Sequence, residues 1–167
     1  MKDTKDKSVL LIDDFNAGEP PNKLGGKSYY FTNPKAGGEC RADYNREEVG
    51  YSLALSYKVP GLKDYAGYWT SLEKADFRAY NSLIFWVKNA DANKLIRVGL
   101  RDSNGIEPKV TLGGYLTGEF SNEWQKVAIP LSSFGGELDL SKIERLSFAF
   151  ENWMGMREGI AYINELL

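Results

Sequence analysis

The chain has 167 residues, 21 basic and 23 acidic side chains, a net charge of −2 and no histidine. That balance excludes a strongly electrostatic nucleic-acid binder, and no Lys/Arg cluster suits an anionic membrane surface. A Ser or Cys nucleophile served by a His base cannot be assembled from this chain. Hydrophobic content of 43% and aromatic content of 13% suffice for one core. Cys40 is the lone cysteine, so there is no intramolecular disulfide framework. No run approaches the roughly 18 apolar residues of a membrane span.

Residues 1–8 are charged and lack the apolar region of a signal peptide, so they read as a disordered leader or as the cut end of an excised domain. Val9, Leu10, Leu11 and Ile12 predict a buried first strand ending at Asp13-Asp14-Phe15. A Gly/Pro/Asn-rich stretch over 16–38 holds one short strand at 28–32. Tyr51, Leu53, Leu55 and Tyr57 alternate with Ser52, Ala54 and Ser56, and 65–72 is the next strand. Leu83, Phe85 and Val87 alternate with Ile84, Trp86 and Lys88. Ile96, Val98 and Leu100 alternate with Arg97, Gly99 and Arg101. A Ser103-Asn104-Gly105 turn leads to a strand at 109–115, and Val127, Ile129 and Leu131 form another. Leu146, Phe148 and Phe150 alternate with Ser147, Ala149 and Glu151, and 159–167 closes the chain. Residues 72–79 and 132–134 suit short helical turns. About nine or ten short strands with Gly-rich turns predict a single all-β domain over 9–167, an antiparallel β-sandwich jelly roll.

Gly67-Tyr68-Trp69-Thr70 lies between strand-like runs in a chain with 10 Tyr, 4 Trp and 8 Phe. Aromatic faces at this density suit stacking on the apolar C–H faces of sugar rings, and the missing His leans the chain toward binding rather than chemistry.

The residues also resemble the galactose-binding-like jelly rolls, most closely the family-11 type of carbohydrate-binding module. The resemblance rests on Leu11-Ile12-Asp13-Asp14-Phe15, Gly67-Tyr68-Trp69, the run from Tyr80 to Lys88, and Trp124 through Pro130-Leu131-Ser132-Ser133-Phe134. It continues through Leu138 to Phe148 and ends at Ile160 to Leu166. The order and spacing of these motifs cover nearly all of 9–167. Complex I intermediate-associated proteins share the fold and an Asn-x-Leu-Gly-Gly element like Asn22-Lys23-Leu24-Gly25-Gly26, so a protein-binding or assembly module is the alternative reading.

The resemblance implies a cleft. The Tyr of the family's Gly-Tyr-Trp element lines it, and Tyr68 matches that position; the other reading of Tyr68 is a core aromatic with a satisfied hydroxyl. Alternation puts Tyr68 and Trp69 on opposite faces, with Trp69 expected in the core. Glu107 matches a position that supplies a cleft carboxylate. Phe150, beside Glu151, takes the place of a cleft Tyr and lacks its hydroxyl.

Arg97 and Arg101, flanking Gly99, either floor the cleft with donors for sugar hydroxyls or form a solvated face of ion pairs. Small outward residues such as Ser147 and Ala149 let a ligand approach the sheet. Trp153, in a Met-flanked loop, suits a binding loop or a lid, and Tyr115 after Gly113-Gly114 is a candidate of the same kind. Such jelly rolls often carry a structural Ca²⁺, for which Asp14, Asn16 and Asn164 are the candidate donors. Asp102-Ser103-Asn104-Gly105 resembles half of a calcium loop, lacks the distal Glu, and reads as a turn.

No motif singles out a catalytic carboxylate pair among the 23 acidic residues. The expectation is a non-catalytic, monomeric module that binds a polysaccharide or oligosaccharide, a β-glucan or another plant or cell-wall glycan. It would act outside the cell and hold an attached or partner glycoside hydrolase near its substrate. Nucleic acid and membrane are not expected partners.

Overall fold

Among the described residues ten strands build two sheets whose apolar faces meet. The computed structural model describes residues 9–33, 37–88, 95–116 and 122–167, and the 1–8 leader lies outside the described residues. In chain order the strands are β1 (Ser28–Thr32), β2 (Glu39–Arg46), β3 (Tyr51–Lys58), β4 (Tyr65–Ala75) and β5 (Ser82–Lys88). They continue as β6 (Arg97–Asp102), β7 (Lys109–Thr111), β8 (Gln125–Pro130), β9 (Ile143–Glu151) and β10 (Glu158–Asn164). Short 3₁₀ turns at Leu112–Tyr115, Leu131–Phe134 and Asn152–Met154 are the only helical segments among the described residues.

One sheet has the order β1-β4-β9-β6-β7 and the other β2-β3-β10-β5-β8. Every pairing is antiparallel. The architecture is an antiparallel β-sandwich jelly roll, as the alternation predicts. Side-chain alternation decides what meets in the middle. Leu53, Leu55 and Tyr57 of β3 and Leu83, Phe85 and Val87 of β5 face Val98 and Leu100 of β6 and Leu146, Phe148 and Phe150 of β9. Phe85 meets Phe148 edge to face across the two sheets, with ring centroids 5.5 Å apart.

Three local expectations are corrected. Residues 9–12 are not a strand: Val9 is 54% exposed, and pairing is confined to a bridge between Asp13 and Leu166. The chain there is held by Ile12 N–H donating to Leu166 O at 2.8 Å. Strand β2 covers residues 39–46, to which the alternation assigned no element. Residues 72–79 hold no helical turn; β4 runs on to Ala75 through a bulge after Ser71, where Glu73 and Lys74 take positive φ angles of 52° and 59°. The strand expected over 109–115 stops at Thr111 and closes in a 3₁₀ turn.

Candidate functional site

The outward face of the β1-β4-β9-β6-β7 sheet carries small residues at its centre and large ones around them. Strand register places them in rows. Phe31, Gly67, Ala149, Arg97 and Thr111 lie side by side across the five strands. The next row is Tyr29, Trp69, Ser147, Gly99 and Lys109, and beyond it stand Ser71, Arg145 and Arg101. Ser147 and Ala149 are 1% exposed although they face away from the core, because the larger side chains around them close over the floor. Gly67 has a direct reason to be Gly: a Cβ there would run into the Phe31 ring and the Phe148 carbonyl.

The floor bears charge on one side and aromatic rings on the other. Glu151 lies between two cations, Arg97 at 3.7 Å and Lys109 at 3.9 Å. Arg101 and Glu107 approach to 3.8 Å. These separations exceed hydrogen-bonding distance. Arg97 Nε, Arg101 Nε, Ser147 Oγ and Glu151 Oε2 are buried with no hydrogen-bond partner, and only Asn152 Oδ1 elsewhere shares that condition among the described residues. On the aromatic side Tyr29 stacks on Trp69, with centroids 4.4 Å apart, and Phe31 lies 6.4 Å from Tyr65. Arg145 sits 4.3 Å from the Trp69 ring centroid, and Arg97 sits 5.8 Å from that of Trp153.

Two cavities open over this face. One of about 290 Å³ is lined by Phe31, Tyr65, Trp69, Glu107, Lys109, Arg145 and Glu151. The other, about 240 Å³, is lined by Trp69, Ser71, Glu73, Lys74, Glu144 and Arg145. They share Trp69 and Arg145 and together form one cleft along the sheet. A separate apolar cavity of about 230 Å³, against Leu10, Phe77, Leu131 and Leu167, shares no residue with it.

The structure gathers Arg97, Arg101, Glu107, Glu151 and Trp153 on this face, with Trp153 60% exposed at its end. Three expected ligand-contact residues are elsewhere. Tyr68 is 2% exposed and points into the core, its hydroxyl 2.7 Å from Ser28 Oγ, and burial pushes its phenol well above the ordinary value. Trp69 therefore takes the outward position that the sequence reading gave to Tyr68. The signal was present: Ala66, Tyr68, Thr70 and Leu72 share one parity and are all buried. Phe150 is 0% exposed and stacks on Tyr57 at 4.1 Å, so its missing hydroxyl takes nothing from the cleft. Tyr115 is carried off by the turn after β7, where Leu116 bridges Val127 of the other sheet. Tyr29, Phe31, Tyr65, Lys109 and Arg145 enter the cleft without having been singled out in the sequence.

The three candidate metal donors are already engaged. Asp14 Oδ1 lies 3.2 Å from Lys23 Nζ and accepts the Asn16 N–H. Asn16 Oδ1 accepts the Tyr51 N–H at 3.0 Å, and Asn164 Oδ1 accepts the Glu165 N–H at 3.0 Å. Among the described residues no three Cys, Asp or Glu side chains gather to hold a metal. Calcium takes six to eight oxygens, and binding here would have to displace the Lys23 ammonium from Asp14. The Asp102 turn is likewise self-contained: the Asp102 carboxylate accepts N–H bonds from Asn104, Ile106 and Asp139 at 2.9, 3.0 and 2.9 Å.

Solved carbohydrate-binding modules share this β-sandwich fold. The family 11 module of a cellulosomal cellulase of Clostridium thermocellum superposes with a TM-score of 0.66 at 20% identity, covering 94% of this chain and 91% of that one. The Clostridium thermocellum module in complex with a β-1,3-1,4-mixed-linked tetrasaccharide gives the same score and identity, over 93% and 92%. A β-1,2-glucanase from Parabacteroides distasonis superposes at 0.61 with 18% identity over 94% of this chain, which spans only 24% of that enzyme. Residues 34–166 match the family described as Carbohydrate binding domain 30, and the chain belongs to that family. No curated protein matches it.

Proposed function

We propose that this chain binds a polysaccharide or a long oligosaccharide in the β4-β9-β6 cleft, without chemistry, and so holds an attached or partner glycoside hydrolase at its substrate outside the cell. The single observation that carries the reading is the convergence of Arg97 Nε, Arg101 Nε, Ser147 Oγ and Glu151 Oε2, buried and unpaired, on a floor bordered by aromatic rings. Buried polar atoms are almost always hydrogen-bonded. Four exceptions on one concave face suit a ligand rich in hydroxyls, which can donate to Glu151 and accept from the guanidiniums in the same plane. The rings beside them suit the apolar faces of pyranoses. A β-glucan or another plant or cell-wall glycan has both features, and a related fold is found with a mixed-linkage tetrasaccharide. The benefit to a partner enzyme is raised local concentration rather than a lowered barrier.

Affinity electrophoresis against mixed-linkage glucan, xyloglucan, glucomannan, xylan and galactan tests the reading. Retardation by at least one polymer is expected. It should be lost in Glu151→Gln, which keeps the side chain's volume and removes its charge. No retardation by any polymer would move the weight to a protein-binding role, and retention unchanged in that variant would reject Glu151 as a contact while leaving polysaccharide binding in place. Release of reducing sugar from any of them would overturn the non-catalytic reading.

A further inference from the structure

We propose that Arg145 is a displaceable cover on Trp69, which divides the cleft in the free protein and selects for ligands long enough to span both of its halves. The inference rests on the cleft reading above. Strand order sets the geometry. Tyr29 stands on β1, one side of β4, and Arg145 on β9, the other side. The Tyr29 ring stacks on Trp69 with planes 25° apart and centroids 4.4 Å apart. The Arg145 guanidinium carbon lies 4.3 Å from the same Trp69 centroid. Two groups at those distances cannot share one face of the indole, so both faces of Trp69 are covered. A sugar ring can stack on Trp69 only by removing one of them.

Arg145 is the one free to leave. Among the described residues its only interaction is with the Trp69 ring and no carboxylate lies within ion-pair distance, whereas Arg97 and Arg101 each have one. A guanidinium held by a half-buried ring alone, with no charge partner, is held weakly. It also stands where the cleft divides, since Trp69 and Arg145 are the residues common to the 290 Å³ and 240 Å³ cavities. Displacing the side chain merges the two cavities and bares the indole between them. A short sugar filling one cavity gains nothing from this. A longer one gains a stacking platform at its middle and offsets the lost cation–π contact.

The test has a ligand-free arm and a binding arm. Acrylamide quenching of tryptophan fluorescence should rise in Arg145→Ala, and the rise should vanish when Trp69 is also replaced by Phe. In isothermal titration, Arg145→Ala should bind a mixed-linkage hexasaccharide about two- to fivefold more tightly, the scale of a part-exposed cation–π contact, and leave a disaccharide unchanged. Arg145→Gln should behave as Arg145→Ala if the charge is what holds the cover. Unchanged quenching overturns the cover whatever the ligand does. Equal changes for the hexasaccharide and the disaccharide overturn the length selection, and weaker binding of the hexasaccharide makes Arg145 a direct ligand donor instead. If the wild-type chain binds no glycan, the cleft reading fails, and the quenching arm alone decides whether Arg145 covers Trp69.

Discussion

Asn22 pins the loop before β1 onto the middle of β4 through Thr70. Its Nδ2 donates to Thr70 Oγ1 at 2.8 Å and to the Ser71 carbonyl at 2.7 Å, while its Oδ1 accepts the N–H groups of Leu24 and Gly26 at 3.0 and 2.9 Å. The side chain is 4% exposed, and all of its donor and acceptor capacity is spent between two segments 48 residues apart. Gly26 is drawn so close to Ser71 that a Cβ would collide with its carbonyl. Asn22→Ala should therefore strand several buried partners at once and cost about 2–4 kcal/mol. Chemical denaturation with an unchanged m-value would measure it. A loss within about 0.5 kcal/mol would show that water replaces the amide and that the loop is not anchored here.

The opposite orientations of Tyr68 and Trp69 separate stability from binding at two adjacent positions. Tyr68→Phe removes the hydroxyl that meets Ser28 and should cost about 0.5–1.5 kcal/mol of stability while leaving polysaccharide retention at the wild-type level. Trp69→Ala removes the central ring of the cleft and should weaken retention by about tenfold or more with a much smaller effect on unfolding. The reverse pattern, binding lost in Tyr68→Phe and kept in Trp69→Ala, would restore Tyr68 to the cleft and reject the β4 orientation.

The strands that form the core were legible because each reads as an apolar side chain at every second residue: 83, 85 and 87 in β5, and 146, 148 and 150 in β9. Strand β2 was not, because its inward side chains are Cys40, Ala42 and Tyr44, which present little contrast against Glu39, Arg41 and Asp43. Alternation placed Arg97 and Arg101 on the face opposite the core from sequence alone. It left the Tyr68–Trp69 choice to the phase of β4, which Leu72 sets from the far end of the strand. The remaining members of the cleft were invisible for a topological reason. Tyr29 and Arg145 are 116 positions apart and meet on either side of Trp69 only because β4 sits between β1 and β9. No local pattern encodes that strand order.

Acid should loosen the turn that delivers Glu107 to the cleft. N–H bonds from Asp139, Ile106 and Asn104 hold the Asp102 carboxyl below its ordinary value of 3.8. A carboxyl lowered on folding contributes stability that is complete above its unfolded value and is lost as pH falls through its lower folded value. Asp139, lowered chiefly by Ser141, acts in the same direction. Asp13 opposes them: burial raises its carboxyl, so its contribution is present at low pH and lost as pH rises through its folded value. Denaturation midpoints of the wild type should fall below about pH 4, and Asp102→Asn should flatten that fall while lowering stability at pH 7. A variant whose acid limb matches the wild type would show that Asp102 is not the group being titrated.

Cys40 reports on the sandwich as a whole. It faces the core from β2, 8% exposed and opposite Tyr57 of β3, and burial pushes its thiol up to about 12. Both the scarcity of thiolate and the lack of access protect it, since the thiolate is the nucleophile. Disulfide-exchange reagents at pH 8 should label the native protein only as fast as it opens, and the rate should rise in denaturant along the unfolding curve. Asn22→Ala should speed labelling at zero denaturant by about tenfold for each ~1.4 kcal/mol of stability lost if the opening is global, because reaction through a rapidly closing open state tracks its equilibrium population. If labelling is insensitive to Asn22→Ala, β2 detaches locally from β3, and the edge of the second sheet opens independently of the loop anchored on β4.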